Sequence, residues 1–131
     1  MSMRYVRDDV NRRVRATVWD PLVWSEMLAI SEHQVAEGTW RYGLLLDLRD
    51  VTQPGGADCI RNLTAHVQTL VTKNGPRGPV AAVANRSATF GMARMFAILA
   101  EDAALDVGVF RDIPAAEKWL TAFEERPTTS S

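Results

Sequence analysis

Cysteine is nearly missing from this chain. A single thiol, Cys59, stands among 131 residues, so an internal disulfide framework is excluded and a reducing compartment is the natural setting. A zinc site built on several thiolates is excluded for the same reason. Histidine is scarce as well. His33 and His66 are the only two, which leaves little for any other metal site, and neither a metal nor a cofactor is expected. Charge of one sign is not in surplus either. Fifteen basic residues stand against sixteen acidic ones, for a formal charge of -1. A dedicated nucleic-acid binder usually carries a strong basic excess, so no nucleic-acid partner is expected. The chain also lacks a long hydrophobic run. The longest, Phe90 to Ala100, is interrupted by Gly91 and Arg94 and falls far short of the ~20 residues that span a bilayer. Met1 to Asp9 is polar and charged, without the apolar stretch of a secretory signal, so a cytoplasmic protein is expected. Low-complexity segments, internal linkers and solenoid repeats are missing too.

What is present suffices for a folded domain. Apolar residues make up 47% of the chain and charged ones 24%, enough to bury a core in one domain of ordinary size. That domain is expected over residues 1–125, with Arg126 to Ser131 as a short disordered tail.

Patterning gives the order of elements. Met3 to Val6 predicts a short strand and Asp8 to Asn11 a turn. Arg12 to Val18 alternates, with Val14, Ala16 and Val18 on one face and Arg13 and Arg15 on the other, as in a strand with one wet face. Asp20-Pro21 is the pattern of a helix start, with Asp20 as the cap. Trp24, Met27, Leu28 and Val35 share one face of that helix, and Gly38 ends it. Trp24 and Trp40 are expected in the core. Ser31 to Gln34, which includes His33, reads as a solvated helix face. Trp40 to Leu48 is the next strand, apolar on both faces over Gly43 to Leu46 and therefore central. After a loop with Thr52, Pro54, Gly55 and Gly56 comes an amphipathic helix, Ala57 to Lys73, with Ile60, Leu63, Val67, Leu70 and Val71 at helical spacing. Asn74-Gly75-Pro76 stops it. Pro79 to Ala84 is a second central strand, Ser87 a cap for a helix over Ala88 to Asp102, and Leu105 to Phe110 the last strand. Asp112 caps a final helix with Pro114 in its first turn and Ala116, Trp119, Leu120 and Phe123 as its stripe. The order β-β-α-β-α-β-α-β-α predicts an α/β domain with a mixed, mostly parallel sheet and helices packed on it.

Four segments, taken together, resemble the SpoIIAA-like proteins of the STAS/CRAL-TRIO superfamily. They are Leu44 to Arg49, a strand ending in Asp-x-Arg; Val80 to Ala84; Phe90 to Phe96 at a helix start; and Val109 to Asp112 followed by Ala115-Ala116 and Trp119-Leu120. The resemblance implies a β-α superhelix of four turns and a non-enzymatic role. STAS relatives act as anti-anti-sigma factors or as modules of transporters and sensors, and CRAL-TRIO relatives bind lipids. The sporulation factors carry a phosphorylatable serine in an Asp-Ser-Ser-Gly motif after the central strand. This chain has Val51 to Asp58 there, with Thr52 as its only hydroxyl residue.

Three groups of residues could carry function. Ligands of open α/β sheets sit beyond the carboxyl ends of the strands, where this chain places Asp47, Arg49, Asp50 and Thr52, then Asn85, Arg86 and Ser87, then Arg111 and Asp112. They could hold an anion at a helix start, or serve only as caps and ion pairs. Asp47 follows an apolar strand, so burial would require a partner such as Arg49 or Arg94. Cys59 lies at a helix start, but His66 is two turns away, too far for a hydrogen bond. The third group is the helix after Ser87, on which Arg94 is the only charge between Phe90 and Ala100. Met92, Met95, Phe96 and Leu99 are expected against the sheet. Phe90, Ala93, Ala97 and Ile98 then remain to meet a second subunit or line an apolar pocket. The expected function is a non-catalytic regulatory or binding module acting through protein–protein contact, as a homodimer, with Phe90, Met92, Arg94, Met95 and Ile98 as candidate residues of the interface or of an apolar pocket. The alternatives are a carrier or sensor of a lipid or small apolar ligand, and a small hydrolase or transferase using Asp47, Asp50 or Cys59.

Overall fold

The structure, a computed structural model, describes residues 3–20, 24–53, 56–103 and 105–124. Their elements are β1 (Met3–Asp8), β2 (Arg13–Trp19), α1 (Trp24–Glu37), β3 (Gly43–Asp50), α2 (Ala57–Asn74), β4 (Val80–Val83), α3 (Ser87–Asp102), β5 (Val107–Phe110) and α4 (Ile113–Glu124). The order is the one the patterning predicts. The expected tail beyond residue 125, and the side chain of Trp24, lie outside the described residues.

The five strands form one sheet in the order β1-β2-β3-β4-β5. β1 and β2 are antiparallel, and the remaining neighbours are parallel. Strand order follows chain order, so each crossover steps the same way across the sheet. Right-handed crossovers that all step one way put their helices on one face. The core shows this arrangement. Val14, Ala16 and Val18 of β2, Leu44, Leu46 and Leu48 of β3, and Val80, Ala82 and Ala84 pack with Met27 and Ile30 of α1, Leu63 and Val67 of α2, and Ala93 and Ala100 of α3. On the other face Leu45, Ala81 and Val83 meet Ala116 and Leu120 of α4. α4 therefore covers the β3–β5 side of that face, and β2 keeps one wet face there, with Arg15 exposed.

Several local expectations need correction. The strand expected from Trp40 begins at Gly43, because Trp40 to Tyr42 form a turn closed by the Tyr42 N–H on the Thr39 carbonyl at 3.0 Å. The helix start that Asp20 is expected to cap falls at residues 21–23, outside the described residues, and the Asp20 carboxylate is seen bonded to Thr52. Both its oxygens accept from the Thr52 N–H at 3.1 Å, and one also accepts from the Thr52 hydroxyl. Ser87 is inside α3 rather than before it. Arg86 holds the cap position, with no side-chain cap bond. Asp112 does cap α4, accepting from the Ala115 N–H at 2.8 Å. The stretch Ser31 to Gln34 is not uniformly solvated. Ser31 and Gln34 are buried and only Glu32 and His33 are exposed, because α1 turns Ser31 and Gln34 onto a half-buried arginine described below. On α3 the deeply buried positions are Thr89, Ala93 and Ala100, with Met92 and Phe96 packed beside them. Met95 and Leu99, expected against the sheet, are only half-buried.

Candidate functional site: a strand-end cluster and an apolar cavity

The polar residues beyond the strand ends do not converge on one point. Asp47 is nearly inaccessible, and its side chain lies on the α4 face in register with Thr17 and Val83. Arg49 clasps its carboxylate through Nε and Nη2, both at 2.9 Å, and also donates its backbone N–H at 3.1 Å. Arg15 of β2 approaches to 3.6 Å. Burial pushes this carboxyl up, but the Arg49 hydrogen bonds and the two positive charges outweigh it and hold the group below its usual range. Of the two partners expected for Asp47, Arg49 is present; Arg15 takes the place proposed for Arg94. A carboxylate so engaged is a poor proton donor at neutral pH.

Thr52 faces the other way, onto Asp20, whose pKa its hydroxyl lowers and Arg86 lowers further. The negative group at this loop is thus already supplied by the chain. A phosphoryl group on Thr52 would be repelled by the Asp20 carboxylate. Asp50, Arg86 and Ser87 are exposed. The Arg111 guanidinium lies 4.1 Å above the Phe90 ring and covers it, a cation–π contact that accounts for one of the apolar residues left over on α3. Ala93 is in the core at 3% exposure, whereas Ile98 is exposed at 61%. Cys59 is half-buried, and His66 pairs instead with Glu32 at 3.0 Å. His33 pairs with Glu37 at 3.3 Å. Among the described residues no group of three or more His, Cys, Asp or Glu could hold a metal ion, and no helix is long and apolar enough to cross a membrane.

A different place in the fold carries more. Between α1, α2, α3 and the sheet lies a cavity of about 50 Å³. Its walls include Met27 and Ile30 of α1, Ile60 and Leu63 of α2, Met92 and Phe96 of α3, and Leu46 and Ala82 of the central strands. A water molecule claims about 30 Å³ of liquid, and an engineered apolar cavity of about 150 Å³ takes up benzene. The present cavity therefore fits a short aliphatic segment and is too small to enclose a whole lipid. Arg77, Gly78 and Asp106 stand at one end of it, where the parallel strands begin. Asp106 is exposed.

Arg77 is the charged group of this end. Its Nη1 donates to the Ser31 hydroxyl at 2.9 Å and its Nη2 to the Gln34 side-chain oxygen at 2.6 Å. Its guanidinium carbon lies 4.6 Å from the Trp40 ring centre. Gln34 is fully buried and is held in turn by its own bond to the Thr39 carbonyl at 3.3 Å. Burial pushes the Arg77 pKa down to about 10, so it stays charged at neutral pH. Nothing in the local sequence marks Arg77, which sits in a Gly-Pro-Arg-Gly-Pro loop. The one available signal was the pair Ser31 and Gln34, polar residues at positions four and seven after the buried Met27 and so on the inner side of α1.

No family model, no curated protein and no solved structure matches the chain.

Proposed function

We propose that this domain is a non-catalytic binding module of the SpoIIAA-like, STAS/CRAL-TRIO kind, and that it acts by holding a small apolar ligand in the cavity beneath α1, α2 and α3. The observation that carries this is the cavity itself. Apolar side chains from three helices and the sheet converge on space that close packing would normally fill, and native interiors leave few such voids. The sheet order, with three successive crossovers on one face, is in keeping with a β-α superhelix. The engagement of Asp47 by two arginines, and of His66 by Glu32, argues against a hydrolase or transferase built on Asp47 or Cys59.

The test combines retained mass and stabilisation. Native mass spectrometry of freshly purified protein reports any carried ligand. Thermal unfolding in the presence of short alkanols reports occupancy, since a ligand that prefers the folded state raises its stability. The Ala82→Val variant adds two methyl groups to the sheet wall of the cavity. It should keep or gain stability and lose the response to alkanol. A wild-type protein that shows no response, together with an Ala82→Val variant strongly destabilised by overpacking, would remove the cavity as a ligand site.

A second reading is a homodimer, or contact with another protein, through α3. Ile98 favours it, being the large apolar residue of that helix most open to solvent. Its neighbours on that side, Arg94, Glu101 and Asp102, are exposed and charged, so the patch is narrow, and a lone exposed apolar residue is common on monomers.

A further inference from the structure

We propose that the ligand of this cavity is a short aliphatic carboxylate, with its chain between Leu46, Ala82, Met92 and Phe96 and its carboxylate on Arg77. The proposal rests on the cavity being a ligand site and adds the chemistry of its polar end. Three observations lead to it. First, Arg77 lines the cavity, and the partners of its guanidinium are a hydroxyl, an amide oxygen and an indole ring, all neutral. Among the described residues no carboxylate comes within 4 Å of it. A partly buried cation with only neutral partners is an unbalanced charge, and the group that best balances it is a carboxylate. Second, a guanidinium has five N–H donors. Two are used by Ser31 and Gln34, and the others remain for a ligand at the cavity end. Third, the fork is held in place before any ligand arrives. Ser31 and Gln34 fix two of its arms from α1, Trp40 supports its flat face, and the Trp40 Nε1–H donates to the Gly75 carbonyl at 2.9 Å, fixing the ring. A preorganised fork loses little freedom on binding, which favours a planar two-oxygen partner over a single hydroxyl.

The remaining wall is apolar, so the rest of the ligand has to be. Asp106 also lines this end and is exposed. It disfavours ligands with a second negative group, such as dicarboxylates, and leaves a monocarboxylate as the fitting class.

The experiment measures binding of butanoate, 1-butanol, methyl butanoate and 2-aminobutanoate to the intact chain, by calorimetry or by amide shifts in NMR, at neutral pH and fixed salt; their short chains match the small volume of the cavity. Butanoate is expected to bind at least about ten-fold more tightly than butanol or the methyl ester, as hydrogen bonds between charged partners warrant. Arg77→Met should bring butanoate to within about three-fold of butanol while leaving butanol binding in place. If Arg77→Met fails to fold, the ligand series on the wild-type protein still decides. Equal affinity for butanoate and butanol would overturn the role of Arg77 and leave the cavity standing as an apolar site. Tighter binding of 2-aminobutanoate than of butanoate would overturn it differently, assigning Asp106 an ammonium and the site a zwitterion. Binding of none of the four would refute both the carboxylate and the cavity.

Discussion

Replacing Asp47 by Asn tests whether this carboxylate is a structural anchor or a reactive group. The side chain is about 5% exposed and accepts three bonds from Arg49, with Arg15 at 3.6 Å. Two unit charges about 4 Å apart attract by about 4 kcal/mol at an effective dielectric near 20, and the cost of removing the carboxylate from water offsets much of that. Breaking a fully buried pair costs about 3–5 kcal/mol. Here the arginines are 40% and 43% exposed and can turn to water when the charge is gone, and Asn keeps one acceptor oxygen. A loss of about 2 kcal/mol at pH 7 is the consistent figure, or roughly 8 °C in Tm for a chain of this size. The pH dependence has a definite sign. The folded-state pKa of Asp47 is lowered, so its contribution is complete above the unfolded value of about 3.9 and fades as pH falls through the lower folded-state value. Urea unfolding of both proteins at pH 7, 5 and 3 should therefore give a constant gap at the first two and a narrower one at the last. A gap below about 0.5 kcal/mol at pH 7, or one that fails to narrow at pH 3, would refute the anchor role. A catalytic Asp47 would instead show lost turnover with stability unchanged.

Other substitutions probe the two faces and the cavity rim. Leu120→Ala removes a fully buried side chain from the α4 cluster and should cost about 3 kcal/mol in denaturant unfolding. Gly78→Ala would set a methyl group 2.4 Å from the backbone oxygens of both Arg41 and Tyr42. A clash with backbone on two sides cannot be relieved by a rotamer change, so a loss of at least about 2 kcal/mol is expected in the same assay. Ile98→Glu alters an exposed position and should change monomer stability by no more than about 0.5 kcal/mol. If α3 mediates self-association, analytical ultracentrifugation will show this variant shifted to monomer; an unchanged mass removes Ile98 from any interface.

Much of the fold was legible because it depends on local chemistry. The period-two pattern of Val14, Ala16 and Val18 against Arg13 and Arg15 identified a strand with one wet face, and those three apolar residues are fully or almost fully buried. The unbroken apolar runs at Leu44 to Leu46 and Val80 to Ala84 marked the two central strands. The stripe on α2 was correct at Ile60, Leu63 and Val67. Asp112 was identified as a cap because its partner, the Ala115 N–H, is three residues away. Asp20 has the same signature before a proline, where the helix start lies outside the described residues, and its carboxylate also bonds Thr52, which is 32 residues distant. A cap and a loop clasp look alike in one dimension, since each needs a short acceptor side chain in an extended stretch. The bond between Asp47 and Arg49 was legible because both sit on one strand, whereas Arg15 came from a neighbouring strand whose register no local pattern reports.

The candidate site divides along the same line. Composition and periodicity alone determined an α/β domain of this element order, with its central strands, its amphipathic helices and little material for metal or disulfide chemistry, because burial and hydrogen-bond geometry repeat over a few residues. Only the tertiary structure decided which row of α3 faces the sheet, that α1, α2 and α3 close on a cavity rather than on solid packing, and that Arg77 stands at its end. The last of these rests on contacts between residues more than forty positions apart, Arg77 with Ser31 and Gln34, and all of them follow from how the helices pack together rather than from any one segment.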